Sequence, residues 1–323
     1  MKKSVQGLLT WFERVKRPMP WRTRPAPYPC WVSEIMMQQT TYQTVLPYYA
    51  RFLKLFPTVQ ALAEAPEERV LKAWAGLGYY ARARNLHAAA KRVVAEGWPD
   101  SAAAWARLPG VGPYTAAALS SVLTGEKIPV VDGNVARVFA RYWRLDDDFR
   151  AGPARKRLAD RLQAWIAQCS SVALSDRPEA FDAPGMFNQA MMELGALVCT
   201  PTAPSCASCP LVKTCAARKT GQQEKYPVKT EKKAVPVRQV TWTVVTDEAG
   251  RVLLTENKEG GLLKGLWELP AVEPAGRQTH VFSHFKQEIE VVRAVRQDAR
   301  FVDPRKVPLA TAARKVLSQC GLL

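Results

Sequence analysis

The sequence predicts a mainly α protein that ends in a smaller α+β domain. Three observations carry this expectation. Apolar residues recur at one-turn spacing from residue 4 to about 198, and β-branched runs separated by turn residues lie beyond about 237. A length of 323 residues also exceeds that of a typical single domain.

The first helix is read from Leu8, Trp11, Phe12 and Val15, whose spacing forms one buried stripe. Residues 17–29 are proline-rich and read as a rigid loop, because proline fixes φ. Helical periodicity continues through 41–56, 79–95, 113–123, 133–144, 154–168 and 184–198, with a shorter helical stretch at 101–107. Residues 218–236 combine several Lys and Arg with two prolines and read as a basic linker. Beyond it, 239–246, 251–256 and 286–296 read as strands, the first two separated by Asp247-Glu248-Ala249-Gly250, and a helix near 308–319 closes the chain. The expected organisation is a helical domain over 1–217, the linker, and a sheet-containing domain over 237–323. No fixed-period repeat or long low-complexity tract interrupts it.

Forty-six Lys and Arg against 29 Asp and Glu give a formal charge of +17. That excess favours polyanions, since neutralising phosphates releases counterions, although solubility or a membrane surface can also account for a basic balance. The opening MKKSVQGLLTWFERVK is broken by Glu13, Arg14 and Lys16 before a signal-like run forms, and no later stretch approaches bilayer-spanning length. A soluble, cytoplasmic protein of bacterial type, without a membrane partner, is therefore expected.

Four of the seven cysteines, Cys199, Cys206, Cys209 and Cys215, are separated by gaps of six, two and five residues. An odd total without a secretion signal disfavours a disulfide framework, and four thiolates so close in sequence point to a metal. Zinc and an iron–sulfur cluster both accept four Cys ligands, and the paired spacing usual for zinc ribbons is missing. Cys30, Cys169 and Cys320 read as buried apolar residues.

Leu108-Pro109-Gly110-Val111-Gly112 separates two helical stretches. Its glycines permit a tight turn and close backbone approach, and Pro113 suits the first position of the following helix. Backbone amides at such a helix start can hold a phosphate, while a plain helix–helix turn remains the alternative. Two carboxylates stand out. Asp132, in Val131-Asp132-Gly133-Asn134, can cap a helix and be oriented and kept ionised by backbone N–H groups. Glu34, in Ser33-Glu34-Ile35-Met36-Met37-Gln38-Gln39-Thr40, has apolar neighbours that can raise its pKa and keep it protonated as an acid; alone it also reads as a solvated helix residue.

The motifs SEIMMQQT, GLGYYARARNL, LPGVG, VDGN and the cysteine loop occur in this order, and together the sequence resembles the MutY family of adenine DNA glycosylases. The resemblance covers nearly the whole chain. It implies a two-lobed helix-hairpin-helix domain carrying a 4Fe-4S loop, then a smaller Nudix-like domain without the glutamate-rich hydrolase signature. It also implies removal of adenine mispaired with 8-oxoguanine, or with G, in double-stranded DNA by a monomeric protein. Glu34 matches the acid that protonates adenine at N7, Asp132 the carboxylate that stabilises the sugar cation, and Tyr114 and Asn134 their support. A lysine at the Tyr114 position marks related pyrimidine glycosylases with lyase activity, so Tyr114 implies a monofunctional enzyme.

By the same resemblance Arg17, Trp21, Arg22 and Gln189 line the adenine pocket. Gln39 is a wedge, Tyr79 intercalates beside 8-oxoguanine, Met37 packs nearby, Gly110 and Gly112 approach DNA, and Ser283 contacts the lesion. Cys199, Cys206, Cys209 and Cys215 hold the cluster, whose loop presents Lys213, Arg218 and Lys219 to phosphates. Two other readings stay open: a bifunctional pyrimidine glycosylase/lyase, and a noncatalytic iron–sulfur DNA-binding module.

Overall fold

A computed structural model of the chain describes residues 1–23, 25–171, 183–228, 236–257, 264–269, 277–281, 286–295 and 301–323. Ser283 lies outside the described residues. Helices come first: α1 (Lys2–Val15), α2 (Pro20–Thr23), α3 (Pro27–Met37), α4 (Tyr42–Leu55), α5 (Val59–Glu64), α6 (Glu67–Trp74) and α7 (Ala81–Glu96). There follow α8 (Ala102–Trp105), α9 (Pro113–Leu123), α10 (Gly133–Trp143), α11 (Gly152–Ile166), α12 (Ala183–Leu197), α13 (Ala216–Lys219) and, near the C-terminal end, α14 (Thr311–Gln319). The chain divides into two compact units, Met1–Ile35 with Ala95–Glu231 and Met36–Val94 with Lys232–Leu323.

In the first unit, α12 is the central strut, and α1, α9 and α10 pack against it. Its Phe187, Ala190, Met191 and Leu194 are buried, at a spacing that covers more than one helix face. Helix α1 contributes Val5, Leu8, Leu9 and Phe12, all buried at one-turn spacing. Val15, expected in that stripe, is 39% exposed, because it is the last helical residue and the chain leaves the helix at Lys16. Residues 17–29 are not simply a loop: Pro20 and Pro27 open α2 and α3, since a first-turn proline lacks only an N–H that has no helical acceptor. Helix α10 is capped by Asp132, whose Oδ1 accepts the Val135 N–H at 2.7 Å. It ends at Arg144 in the left-handed region, with φ of 56°.

The second unit holds α4 to α7, whose core includes the Phe52 ring 4.9 Å from Phe56 and 5.9 Å from Trp74. Helices α5 and α6 are six and eight residues long, too few turns for periodicity to reveal them. The strands are β1 (Val237–Thr246), β2 (Val252–Leu253), β3 (Thr255–Glu256), β4 (Trp267–Glu268), β5 (Arg277–Val281), β6 (Lys286–Val295) and β7 (Phe301–Val302). Among the described residues five form a sheet of order β5-β6-β1-β2-β7, with β1 and β6 parallel from Val237↔Lys286 to Thr246↔Val295. The segment expected as one strand at 251–256 is split, β2 pairing in that sheet and β3 with β4. Among the described residues no helix is long and apolar enough to cross a membrane.

Candidate active site

Glu34 lies on α3 between the buried residues Ser33 and Ile35 and is itself half-buried. Burial pushes its carboxyl up to about 7; the Arg22 guanidinium opposes that shift, and the Asp132 carboxyl adds to it. The Asp132 carboxyl accepts hydrogen bonds at Oδ1 from Val135 N and at Oδ2 from Asn134 Nδ2 at 2.9 Å. These bonds favour the anion, as the cap predicts. Burial outweighs them, however, so the carboxyl sits above the ordinary aspartate value rather than below it. Tyr114, in the first turn of α9, feels both carboxyls; its burial and their charge push the phenol well up, and its Oη donates to Met192 Sδ at 3.1 Å. The sequence motifs at residues 34, 114, 132 and 134 are thus electrostatic neighbours.

Helix α12 fixes much of this arrangement. The buried Asn188 side chain accepts from Val130 N at 3.1 Å and donates to Ile128 O at 2.9 Å and Ser121 Oγ at 3.0 Å, so it clamps the segment leading to Asp132. One turn further on, Met192 meets Tyr114. At Gly195 a Cβ would stand 2.5 Å from Asn134 Cβ, so the absence of a side chain lets the start of α10 approach. Arg137 bridges the two helices, donating to Asn134 Oδ1 at 2.7 Å, Gly195 O at 2.8 Å and Cys199 O at 2.7 Å.

Arg17 and Arg22 converge on the buried Glu193 of α12. Their nearest contacts are 2.8 Å and 3.1 Å, and together they hold its carboxyl down at about 2 against the opposing effect of burial. Trp21 is buried beside them, its carbonyl accepting from Cys30 Sγ at 3.6 Å. Gln189 is half-buried on α12, four residues before Glu193.

The turn at 108–112 buries Leu108 and Val111 and exposes both glycines. Gly110 has φ of 75°, which favours glycine, and open space surrounds the position a Cβ would occupy on Gly112 at the cap of α9. In the second unit Met37 ends α3 half-buried, and Gln39 and Tyr79 both stand in the left-handed region, with φ of 58° and 49°.

A family model described as the HhH-GPD superfamily of base excision DNA repair proteins matches residues 32–168, the span holding Glu34, the hairpin and Asp132. The adenine DNA glycosylase of Buchnera aphidicola subsp. Acyrthosiphon pisum is 33% identical, with 82% of this chain aligned to 73% of that one. The chain belongs to the adenine DNA glycosylase family. The Arabidopsis thaliana member is 38% identical over 84% of this chain, which spans 47% of that relative's length. Among solved structures, a thermostable thymine-DNA glycosylase superposes with a TM-score of 0.57 at 26% identity, covering 68% of this chain and 98% of that one.

The cysteine loop suits the cluster that the family resemblance implies. Cys199, Cys206, Cys209 and Cys215 line one cavity, and no three His, Cys, Asp or Glu among the described residues converge on a single ion position. Four soft thiols lining one cavity are a donor set that an iron–sulfur cluster and zinc both accept. Burial pushes the Cys209 thiol up to about 12, with Cys199, Cys215 and Cys206 adding to the shift. Buried Arg141 fastens the loop: it donates to Thr200 O at 2.6 Å, Pro201 O at 2.9 Å and Tyr226 O at 2.9 Å, and reaches Cys199 Sγ at 3.4 Å. Cys30 and Cys169 are buried as expected, whereas Cys320 is only half-buried.

Sequence reading missed Arg82, Arg137, Arg141, Asn188, Met192 and Glu193. A buried Arg, Asn or Glu leaves one signal, a polar residue on an otherwise apolar helix face, as at Glu193 within MMELGAL.

Proposed function

We propose that this chain is a monofunctional adenine DNA glycosylase that removes adenine opposite 8-oxoguanine, and opposite G, from double-stranded DNA. The observation that carries the reading is the pair of carboxyls beside Tyr114: Glu34, raised to about 7 and so able to give a proton at neutral pH, and Asp132, oriented by Val135 and Asn134.

Adenine leaves poorly as an anion. In the proposed reaction, Glu34 gives its proton to N7 of an extruded adenine, and the bond from N9 to C1′ breaks with its electron pair going to the base. The Asp132 carboxylate stabilises the positive sugar. Water then adds at C1′ and returns a proton to Glu34, leaving an abasic site. Tyr114 has no amine with which to form a Schiff base, which argues against a lyase.

Arg17, Trp21, Arg22 and Gln189 would enclose the base. Gln39, Met37 and Tyr79 would occupy and widen the opened stack, and Gly110 and Gly112 would meet the phosphate backbone. Cys199, Cys206, Cys209 and Cys215 would ligate a 4Fe-4S cluster, which when bound supplies folding energy to a loop too small for its own core. On this reading residues 1–217 form the glycosylase domain, 218–236 a linker and 237–323 a Nudix-like domain in which Ser283 checks 8-oxoguanine.

The test is a labelled duplex carrying A opposite 8-oxoguanine. Adenine release with strand scission only after alkali is the expected result. Scission without alkali would make the protein a lyase, and binding without release a DNA-binding module. Glu34→Gln is expected to keep binding and slow release by roughly 10²–10⁴-fold.

A further inference from the structure

Glu193 has no assigned part in the reaction above, yet it is the most enclosed charge near the site. Its side chain is 1% exposed, against 29% for Arg17 and 13% for Arg22. Oε1 accepts from Arg17 N at 3.0 Å and Arg17 Nε at 2.8 Å, and Oε2 from Arg17 Nη2 at 2.9 Å and Arg22 Nη2 at 3.1 Å. One anion therefore meets two cations here. Arg22 also donates to Arg17 O at 3.4 Å and lies over the Phe12 ring, 5.5 Å from its centre, so it is held from three directions.

Among the described residues, the groups whose charge acts on Glu34 or on which its charge acts are Arg22 from α2, Asp132 at the cap of α10, Tyr114 from α9 and Cys30 from α3 itself. Of these, Arg22 is the cation that favours loss of the Glu34 proton. Resting on the adenine glycosylase reading, we propose that Glu193 is a positioning residue. By binding Arg17 and Arg22 together it keeps Arg22 from pairing with Glu34, and so preserves the protonated acid. Without Glu193 the half-buried Arg22 guanidinium would lose this carboxylate, and Glu34, on which its charge already acts, is an anion that it could pair with instead.

The experiment is a carboxyl ¹³C NMR titration of the full chain labelled at glutamate Cδ, the Glu34 signal being assigned by its loss in Glu34→Gln. In Glu193→Gln the Glu34 midpoint is expected to fall by about one pH unit or more, and the alkaline limb of single-turnover adenine release to move down with it. Glu193→Asp should restore much of the shift, and Arg22→Gln should raise the midpoint. A residue that merely held the fold would lower stability and leave the midpoint in place, so an unchanged midpoint in folded Glu193→Gln overturns the proposal. If that variant does not fold, Arg22→Gln decides by the same signal, an unmoved midpoint overturning it. Failure of the wild-type protein to release adenine would sink the glycosylase reading, while the titration would still test the Glu193 assignment.

Discussion

The Arg82 guanidinium lies over the Tyr79 ring, 5.4 Å from its centre, and binds the backbone just before Gln39 and just before Tyr79, the second unit's two non-glycine residues in the left-handed region among those described. It donates to Met36 O at 3.0 Å and to Gln38 O beside Gln39, and to Leu77 O and Gly78 O, each at 3.2 Å, beside Tyr79. A non-glycine residue in that conformation costs about 1–3 kcal/mol, and such strain persists only where the surroundings enforce it. Arg82 is the enforcing group here, tying the segment around residue 39 to the segment around residue 79.

Arg82→Met should therefore loosen both segments at once. Buried carbonyls would lose their donor, at about 1–3 kcal/mol in folding stability for the first left unsatisfied. Duplex binding should weaken, and discrimination between A opposite 8-oxoguanine and A opposite C should narrow. Denaturant melts and fluorescence anisotropy on the two duplexes check this; unchanged discrimination in folded variant would separate Arg82 from lesion reading.

The raised Glu34 carboxyl links activity to stability in opposite senses. Its folded value of about 7 lies above the ordinary 4.5, so the stability it contributes is full below about 4.5 and lost as pH rises through 7. Glu34→Gln should abolish most adenine release yet make the protein more stable at pH 8 by about 2–3 kcal/mol, with little difference near pH 4. Parallel urea melts at the two pH values check the sign.

Glu193 shows the reverse case. Its carboxyl is held down to about 2, so its contribution is present above the ordinary 4.5 and is lost as pH falls toward 2. Acid unfolding of Glu193→Gln should start from a lower stability and depend less steeply on pH over that interval than in the parent chain.

Gly195→Ala adds one methyl group, directed at Asn134. Displacing Asn134 removes the Oδ2 bond of Asp132 and disturbs Arg137. The expected outcome is a loss of about 1–3 kcal/mol in stability with a fall in the rate of release larger than any change in DNA affinity. Equal losses in binding and rate would point to general damage.

Arg141→Met keeps most of the side-chain bulk but removes the donors that hold Thr200, Pro201 and Tyr226. On the proposed iron–sulfur reading, iron and sulfide content per chain should fall, with the helical circular dichroism of the remainder largely retained. Full iron loading in the variant would contradict the fastening role.

Long amphipathic helices and capping motifs were legible in the sequence. Leu8, Trp11 and Phe12 of the expected α1 stripe are buried while Val15 at the helix end is not, and Asp132 caps α10 as its Asp-Gly-Asn context predicts. The short helices α2, α5 and α6 were not, because four to eight residues do not sustain a period. At the site, residues in named motifs were found, whereas Glu193 acts through bonds to Arg17 and Arg22, which lie far from it in sequence. Asp132 shows the limit of local reasoning in another way. Its cap bonds were predictable, but the burial that overrides them comes from the packing of elements remote in sequence.

Helix α12 addresses four neighbours at once, through Asn188, Met192, Glu193 and Gly195. Inserting a single residue before Asn188 would turn every one of them by about 100°. Engineering of base preference in this scaffold is thus constrained to substitutions that keep the register of that rod, and a graft confined to the outer loops would arrive without the frame that aims them.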